Sequence, residues 1–178
     1  LIANGQVARY PYPIGQFRVD NPTVGLPMSP TPEQLAEVGM HAVVPVEVPA
    51  VVIGEVAEEV TPTFVNDAWT QTWAVRPATP AEVSEQEQAL LDDIVRQTQE
   101  RLDAFARTRH YDDIKSACTY AGCSVPKFNT EGSYCQDRRA ETWAKLYEML
   151  AEVNAGTRPM PTGFADVEPE LPALVWPT

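Results

Sequence analysis

The sequence predicts an α+β protein with a small β-rich N-terminal module containing short helices, then a long-helix hairpin module and an extended C-terminal tail. The first observation is the placement of its 17 prolines in 178 residues: eleven lie before residue 81 and five in the last twenty. Because proline breaks regular helices, the proline-poor centre is the helical part. The second observation is a helical apolar period in that centre. The predicted boundaries are residues 1–78, 79–157 and 158–178.

Turn and capping signals define the first elements of the N-terminal module. Asn4-Gly5 is the dipeptide that favours a tight hairpin turn, so residues 1–10 are predicted to form a small β-hairpin. Residues 14–20 are predicted to form a short helix that stops before a proline. Thr31 and Gln34 have the spacing of a capping box, which predicts a second short helix.

A second hairpin is predicted further along the module. Residues 41–44 are a short strand candidate, and the prolines that follow confine the chain to a sheet edge or an unpaired path. Residues 63–65 and 69–75 flank the turn-forming residues 66–68 and are predicted to pair.

A long helix is predicted from residue 79 onward. Thr79 and Glu82 form a capping box around an N1 proline. The apolar stripe of this helix consists of Val83, Leu90, Ile94, Thr98, Leu102 and Phe105. A helix of about 27 residues would span roughly 40 Å. It would pack either on its own hairpin partner or on another chain as a short coiled coil.

Two further helical segments complete the predicted hairpin module. Residues 111–118 continue the helical spacing until Ala121-Gly122, and a loop is expected to about Gly132. The last helix is predicted from Ser133 to Asn154. Its expected buried face consists of Arg139, Trp143, Leu146, Tyr147, Leu150 and Val153. The predicted hairpin core contains Leu90, Ile94, Leu102, Phe105, Ile114, Trp143, Leu146 and Leu150.

Large apolar side chains provide the candidate interaction residues. The tail cannot form its own core, so we expect it to dock on the body or on a neighbour through Leu171, Leu174 and Trp176. Trp69 and Trp73 share one strand face and are also interface candidates. The local core is the alternative role for each of these aromatic residues.

Composition excludes several classes of partner. The formal charge is −12 with acidic residues in both halves, so no basic patch is available and nucleic acid is not an expected partner. No apolar run reaches the length needed to cross a bilayer, so we expect no membrane association. The chain opens on a polar-punctuated strand, and we expect no secretory signal.

No catalytic or cofactor motif is apparent. His41 and His110 lie outside any nucleophile motif, and no glycine-rich phosphate loop or calcium loop is present. His110 and the three cysteines, Cys118, Cys123 and Cys135, would offer four zinc ligands, but they lack a paired Cys-x2-Cys unit. Charged clusters at residues 107–113 and 137–139 are expected to form structural ion pairs with each other across the hairpin. A carboxylate dyad for acid–base chemistry is the alternative, but the sequence shows no apolar pocket or second acid at a fixed spacing to shift a pKa. We therefore predict neither an enzyme nor a bound cofactor or metal.

Several stretches resemble small proteins that accompany tail-fibre proteins in tailed bacteriophages. The N-terminal stretches are Ile2–Val7, Tyr10–Tyr12, Phe17–Arg18, Asp20–Pro22, Leu26–Pro27, Trp69–Trp73 and Val75–Glu82. The C-terminal ones, Leu102–Ala106, Arg109–Ile114, Ser116–Tyr120 and Thr142–Tyr147, are similar to the helical domain of the same group. The resemblance covers most of the chain and rests on structural motifs.

The resemblance implies a virion structural protein of the tail or tail fibres. Such a protein would act as an attachment or connector subunit through contacts with other tail or fibre proteins, as a homo-oligomer in the assembly. It would be located in the host cytoplasm during assembly and afterwards in the virion tail. The alternative is a non-virion chaperone for tail-fibre assembly. The resemblance assigns no active site.

Overall fold

The computed structural model describes residues 1–177, so Thr178, the last residue of the predicted tail, lies outside the described part. Helices hold 46% of the residues and strands 15%, which confirms the α+β class. The chain forms two compact units, residues 1–83 and residues 84 onward. We call them the N-terminal unit and the helical unit. No helix in residues 1–177 is long and apolar enough to cross a membrane.

The N-terminal unit begins with the predicted small hairpin and two short helices. Strands β1 (Ile2–Ala3) and β2 (Gln6–Val7) pair antiparallel. Both turn residues between them have positive φ angles, as the Asn-Gly pair predicts. Helix α1 spans Ile14–Asp20 and helix α2 spans Pro32–Glu37. The capping box at the start of α2 is present with both of its hydrogen bonds.

The sheet of the N-terminal unit has three strands. Strands β3 (Val43–Val44), β4 (Glu55–Val65) and β5 (Ala68–Pro77) lie in the order β3-β5-β4. The β4–β5 pair is antiparallel, and β3 runs parallel to β5. The predicted hairpin is therefore present, but β4 begins eight residues earlier than the 63–65 segment that the pattern indicated. A register shift between Val60 and Thr63 accommodates Pro62, which has no amide proton for the ladder.

Helix α3 (Pro80–Arg107) is the predicted long helix. The backbone nitrogen of Thr79 donates to a Glu82 carboxylate oxygen at 2.8 Å, and the Glu82 nitrogen donates to Thr79 Oγ1 at 3.3 Å. Arg76 adds two bonds to the same carboxylate. The Arg76 guanidinium and the Thr79 groups lower the pKa of Glu82 to about 2, so this cap stays charged at neutral pH.

The prediction of a loop extending to about Gly132 is wrong, because helix α5 already begins at Pro126. The helix ends at Asn154, as predicted. Proline is suited to the first helical position, where its missing amide proton has no helical partner. Gly132 lies inside α5 because the backbone after helix α4 (Ile114–Cys118) passes very close. A Cβ atom at Gly132 would lie 2.5 Å from the backbone nitrogen of Ala121.

Two side-chain clusters form the core of the helical unit. Leu102 and Ala106 of α3 pack with Cys135 near the start of α5, whereas Ile94 of α3 packs with Met149 near its end. This is the order of contacts expected of two antiparallel helices. Helix α4 contributes Ile114 and Ala117 to the first cluster.

The prediction of which face of α5 is buried is wrong in part. The buried residues of α5 are Glu131, Gly132, Cys135, Thr142 and Met149. Trp143, Leu146 and Leu150 are only half-buried, and the first two of them pack against the clusters. Tyr147 is 67% exposed. Gly132 and Cys135 face inward where the α4 segment packs closely on α5. The larger side chains, which dominate the apolar pattern, therefore lie at the edge of the core.

Candidate interaction surfaces

The N-terminal unit buries few of its large apolar side chains. In residues 1–83, all of which the structure describes, only Phe17 and Met40 among them are buried. The exposed set is Val19, Val24, Met28, Val44, Val46, Val48, Val51, Val52, Ile53, Phe64, Val65 and Val75. Apolar surface on this scale in one small unit is typical of a protein–protein contact surface.

Half of this exposed set belongs to one extended stretch, residues 44–53, which we call the valine segment. Two side chains of β5 hold its backbone. Gln71 Oε1 accepts from the Val46 nitrogen at 3.0 Å, and Trp73 Nε1 donates to the Val46 oxygen at 3.2 Å. The backbone of the segment is thus fixed at Val46, while its valine side chains face outward. The segment presents an ordered apolar strip.

The free edge of β4 is a less suitable contact surface. Strand β4 lies at the edge of the sheet, where unpaired backbone groups attract other strands. Its sequence places Glu58 and Glu59 at the middle, followed by Pro62 at the register shift. Charged residues and proline protect edge strands from pairing with other chains. The valine segment is therefore the better candidate for a contact surface.

The structure places Trp69 and Trp73, two of the sequence-predicted interaction residues, half-buried within the N-terminal unit. The Trp69 ring lies 5.3 Å from the Phe64 ring, centroid to centroid. Trp69 also lines a hollow of about 280 Å³ together with Tyr10, Tyr12 and Met40. Both tryptophans support the valine segment and its strand, and only part of each ring is available to a partner.

The other predicted interaction residues lie against the chain's own helices. Leu171 joins the second core cluster and is only 6% exposed. Leu174 and Trp176 pack against the first cluster, and Trp176 stacks on Phe105 at 4.2 Å between ring centroids. Trp176 Nε1 donates to Thr108 Oγ1 at 2.8 Å. The tail residues were predicted to dock either on the body of the chain or on a neighbour. In the free chain they dock on its own helices.

A buried carboxylate lies beside this docked tail. Glu131 is 2% exposed, and it accepts hydrogen bonds from Arg109 and, at 2.7 Å, from Tyr111 Oη. The Arg109 guanidinium also lies 4.8 Å from the centroid of the Trp176 ring. Burial alone raises the pKa of Glu131, but these hydrogen bonds and the Arg109 charge outweigh it and hold the pKa below its usual value.

The ion pairs expected between the two charged clusters differ from the pairs that the structure contains. Arg109 pairs with Glu131, which lies outside both clusters, and Arg138 pairs with Glu141 in its own helix. Arg107 donates to the backbone oxygen of Asp112. The clusters at residues 107–113 and 137–139 therefore form no direct pair with each other, because these three arginines have other partners.

The cysteines are free thiols within the helical unit. Burial, followed by the neighbouring Cys118 and Glu131, raises the pKa of Cys135 to about 12, and burial also raises the pKa of Cys118. Thiols of this kind remain protonated at neutral pH and are weak nucleophiles. Across residues 1–177 no group of three or more His, Cys, Asp or Glu side chains is placed to hold a metal ion.

The helical unit also contains an apolar groove of about 540 Å³. We call it the α3–α5 groove. Helix α3 supplies one wall, helix α5 the other, and the segment around Met160 and Val167 a third. The residues that the sequence assigned to the buried face of α5 line it: Arg139, Trp143, Leu146, Tyr147, Leu150 and Val153. Only part of that face is therefore covered by the chain itself.

Comparison of the chain with protein-family models, curated proteins and solved structures finds no match to any of them.

Sequence reasoning did not identify the valine segment or the α3–α5 groove. The signal for the first was present, because six β-branched residues occur in ten positions with prolines that prevent regular pairing. The signal for the second was the width of the apolar face of α5, which includes both Trp143 and Tyr147. One neighbouring helix covers only part of so wide a face.

Proposed function

We propose that this chain is a structural protein of a bacteriophage tail or tail fibre that serves as an attachment or connector subunit through protein–protein contacts. One observation carries the proposal: the N-terminal unit exposes twelve large apolar side chains and buries two. The family resemblance of the sequence indicates the phage context.

The energetic argument begins with the exposed valine segment. Each fully buried valine side chain contributes about 1.5–3 kcal/mol of hydrophobic stabilisation. The free chain gains little of this from Val46, Val48 and Val52, which all remain exposed. A partner that covers the segment recovers it, and the pre-fixed backbone at Val46 reduces the ordering cost of binding. The N-terminal unit is therefore suited to complete its packing in an assembly.

The charge of the chain is consistent with this mode of contact. With a net charge of −12, free subunits repel one another in solution, which opposes uncontrolled association of the apolar strip. A partner must then match the strip locally. Attachment subunits require this behaviour, because they remain separate until they meet their site in the particle.

The test is incorporation of a surface variant into particles. V46T/V48T/V52T makes the exposed strip more polar while keeping β-branched side chains. A matched control is V19T/V24T/M28Q, which changes exposed apolar residues outside the valine segment. Particles are purified from cells that produce the phage with each tagged version, and the chain is quantified by mass spectrometry.

We expect the strip variant to be depleted at least several-fold in particles and the control to be retained. Equal incorporation of both variants would refute the valine segment as the attachment surface. Absence of the unaltered chain from particles that contain their other tail proteins would refute the virion assignment. A chain that is absent from particles but required for fibre assembly in the cell would be an assembly chaperone.

A further inference from the structure

We propose that the α3–α5 groove binds a small amphipathic carboxylate, a molecule with a hydrocarbon body and one anionic head group. The body would lie along α5, and the carboxylate would pair with Arg139. The observations are the size of the groove, its mainly apolar lining and an arginine without a hydrogen-bond partner at one end. This inference is independent of the phage assignment.

The dimensions of the groove are those of a small-molecule site. A volume of about 540 Å³ falls within the range of ordinary ligand pockets, about 300–1,000 Å³. Along α5 its lining runs from Arg139 to Val153, which corresponds to about 21 Å at 1.5 Å per residue. Leu146 and Leu150 lie between these ends, and Val95 of α3 faces the same space. A long, narrow hydrocarbon body fits such a site.

Arg139 is the feature that identifies the head group. Among the residues that the structure describes, each of the other nine arginines donates a hydrogen bond to a carboxylate or a backbone oxygen. Arg139 has no such partner, is half-buried and lies at the end of the groove. Its Nε atom is buried without an acceptor. A carboxylate is the group that a guanidinium binds best, through two parallel hydrogen bonds.

The charges around the groove favour a small ligand over a second protein. Arg96 already pairs with Asp93 and Glu100 on α3, and Lys145 pairs with Glu148 on α5. These charges lie on the same two helices outside the groove lining and pair within their own helices, whereas a protein partner is usually held by a polar rim. Three charged residues line the groove, and Asp92 and Arg158 have partners within the chain. Arg139 is therefore the lining charge that a ligand can pair with, which fits a ligand with one negative group.

The opposite end of the groove is neutralised by the chain itself. Arg158 lines that end, but its guanidinium binds Glu152 and Glu170. Asp92 accepts a hydrogen bond from Gln88 at 2.8 Å. A ligand with its anionic head beside Asp92 would meet a like charge, so the head group is directed toward Arg139 and the hydrocarbon end toward Arg158.

The test uses the full chain and sodium dodecanoate, below its micelle concentration, in isothermal titration calorimetry. Dodecyltrimethylammonium, with the same alkyl chain and a positive head, is the matched ligand. R139Q removes the cation, R139K retains it, and R138Q is the neighbouring control, because Arg138 pairs with Glu141 and does not line the groove. V95W fills the groove from a position that is 46% exposed, so it leaves the core intact.

We expect one dodecanoate per chain, with affinity reduced about tenfold or more in R139Q and for the cationic ligand. R138Q should bind within a few-fold of the unaltered chain, and V95W should lose binding. R139K should bind with an affinity between those of the unaltered chain and R139Q, because lysine keeps the charge but cannot form two parallel hydrogen bonds. Circular dichroism verifies that each variant is folded. Absence of saturable binding by the folded chain, as expected if the groove takes a protein segment instead, would overturn the proposal. Equal binding by R139Q or by the cationic ligand would also overturn it.

Discussion

Replacing Trp176 by alanine tests whether the C-terminal residues are part of the folded helical unit. The side chain makes three kinds of contact: the stack on Phe105, the hydrogen bond to Thr108 and the approach of the Arg109 guanidinium. An aromatic pair contributes about 0.5–1.5 kcal/mol beyond its buried area. A hydrogen bond contributes about as much. A fully buried aromatic side chain replaced by alanine costs about 3–5 kcal/mol.

Because Trp176 is half-buried, we expect W176A to lower the free energy of unfolding by about 2–4 kcal/mol. The assay is urea denaturation of the full chain followed by far-UV circular dichroism, which reports mainly on α3 and α5. W176F should recover part of the loss, because it keeps a ring for stacking and removes the indole donor. V175A is the control, since Val175 is 69% exposed beside it. A loss below about 0.5 kcal/mol for W176A, equal to that of V175A, would refute docking of the tail on the helices.

Three further predictions follow from single positions. G132A should destabilise the helical unit by about 1–3 kcal/mol, because its Cβ would overlap the neighbouring backbone. The control G163A should not destabilise it, because the added atom meets nothing within 4 Å. Equal urea midpoints for the two variants would contradict this prediction. Glu131 has a lowered folded-state pKa, so its contribution to stability is present above the unfolded value of about 4.3 and is lost as the pH falls through the folded value. E131Q should therefore flatten the decline of the urea midpoint below about pH 4.5, and an unchanged pH slope would exclude this role. D67G should stabilise the β4–β5 hairpin by about 1 kcal/mol, because Asp67 has a φ of 60° that glycine adopts without strain; a lower urea midpoint would contradict it.

Local signals in the sequence predicted the elements whose causes are themselves local. The Asn4-Gly5 turn and the capping boxes at Thr31 and Thr79 depend on residues within four positions of one another, and the structure contains all three. The start of α5 at Pro126 was missed because Gly132 was interpreted as a loop residue. Gly132 instead permits close contact between α5 and the backbone of Ala117, Tyr120 and Ala121, which precede it by eleven residues or more.

The candidate surfaces depend on relations that a single sequence does not show. The apolar pattern of α5 identified a face but could not show that α3 covers only part of it, which leaves Trp143 and Leu150 beside the groove. Similarly, the isolated strand candidate at residues 41–44 gave no indication that the following valines would remain exposed. Whether another part of the chain covers a helix or strand depends on the tertiary structure. Both surfaces could therefore be identified only from the structure.

The most direct test of the proposed function is to measure the exposure of the valine segment in the free chain and in the particle. Carbene footprinting labels side chains according to their accessibility, and mass spectrometry then reports the labelling of residues 44–53 in each state. We predict that the chain is found in purified particles, with labelling of this segment reduced at least several-fold while Met28 remains labelled. Particles without the chain, or a segment labelled equally in both states, would contradict the account.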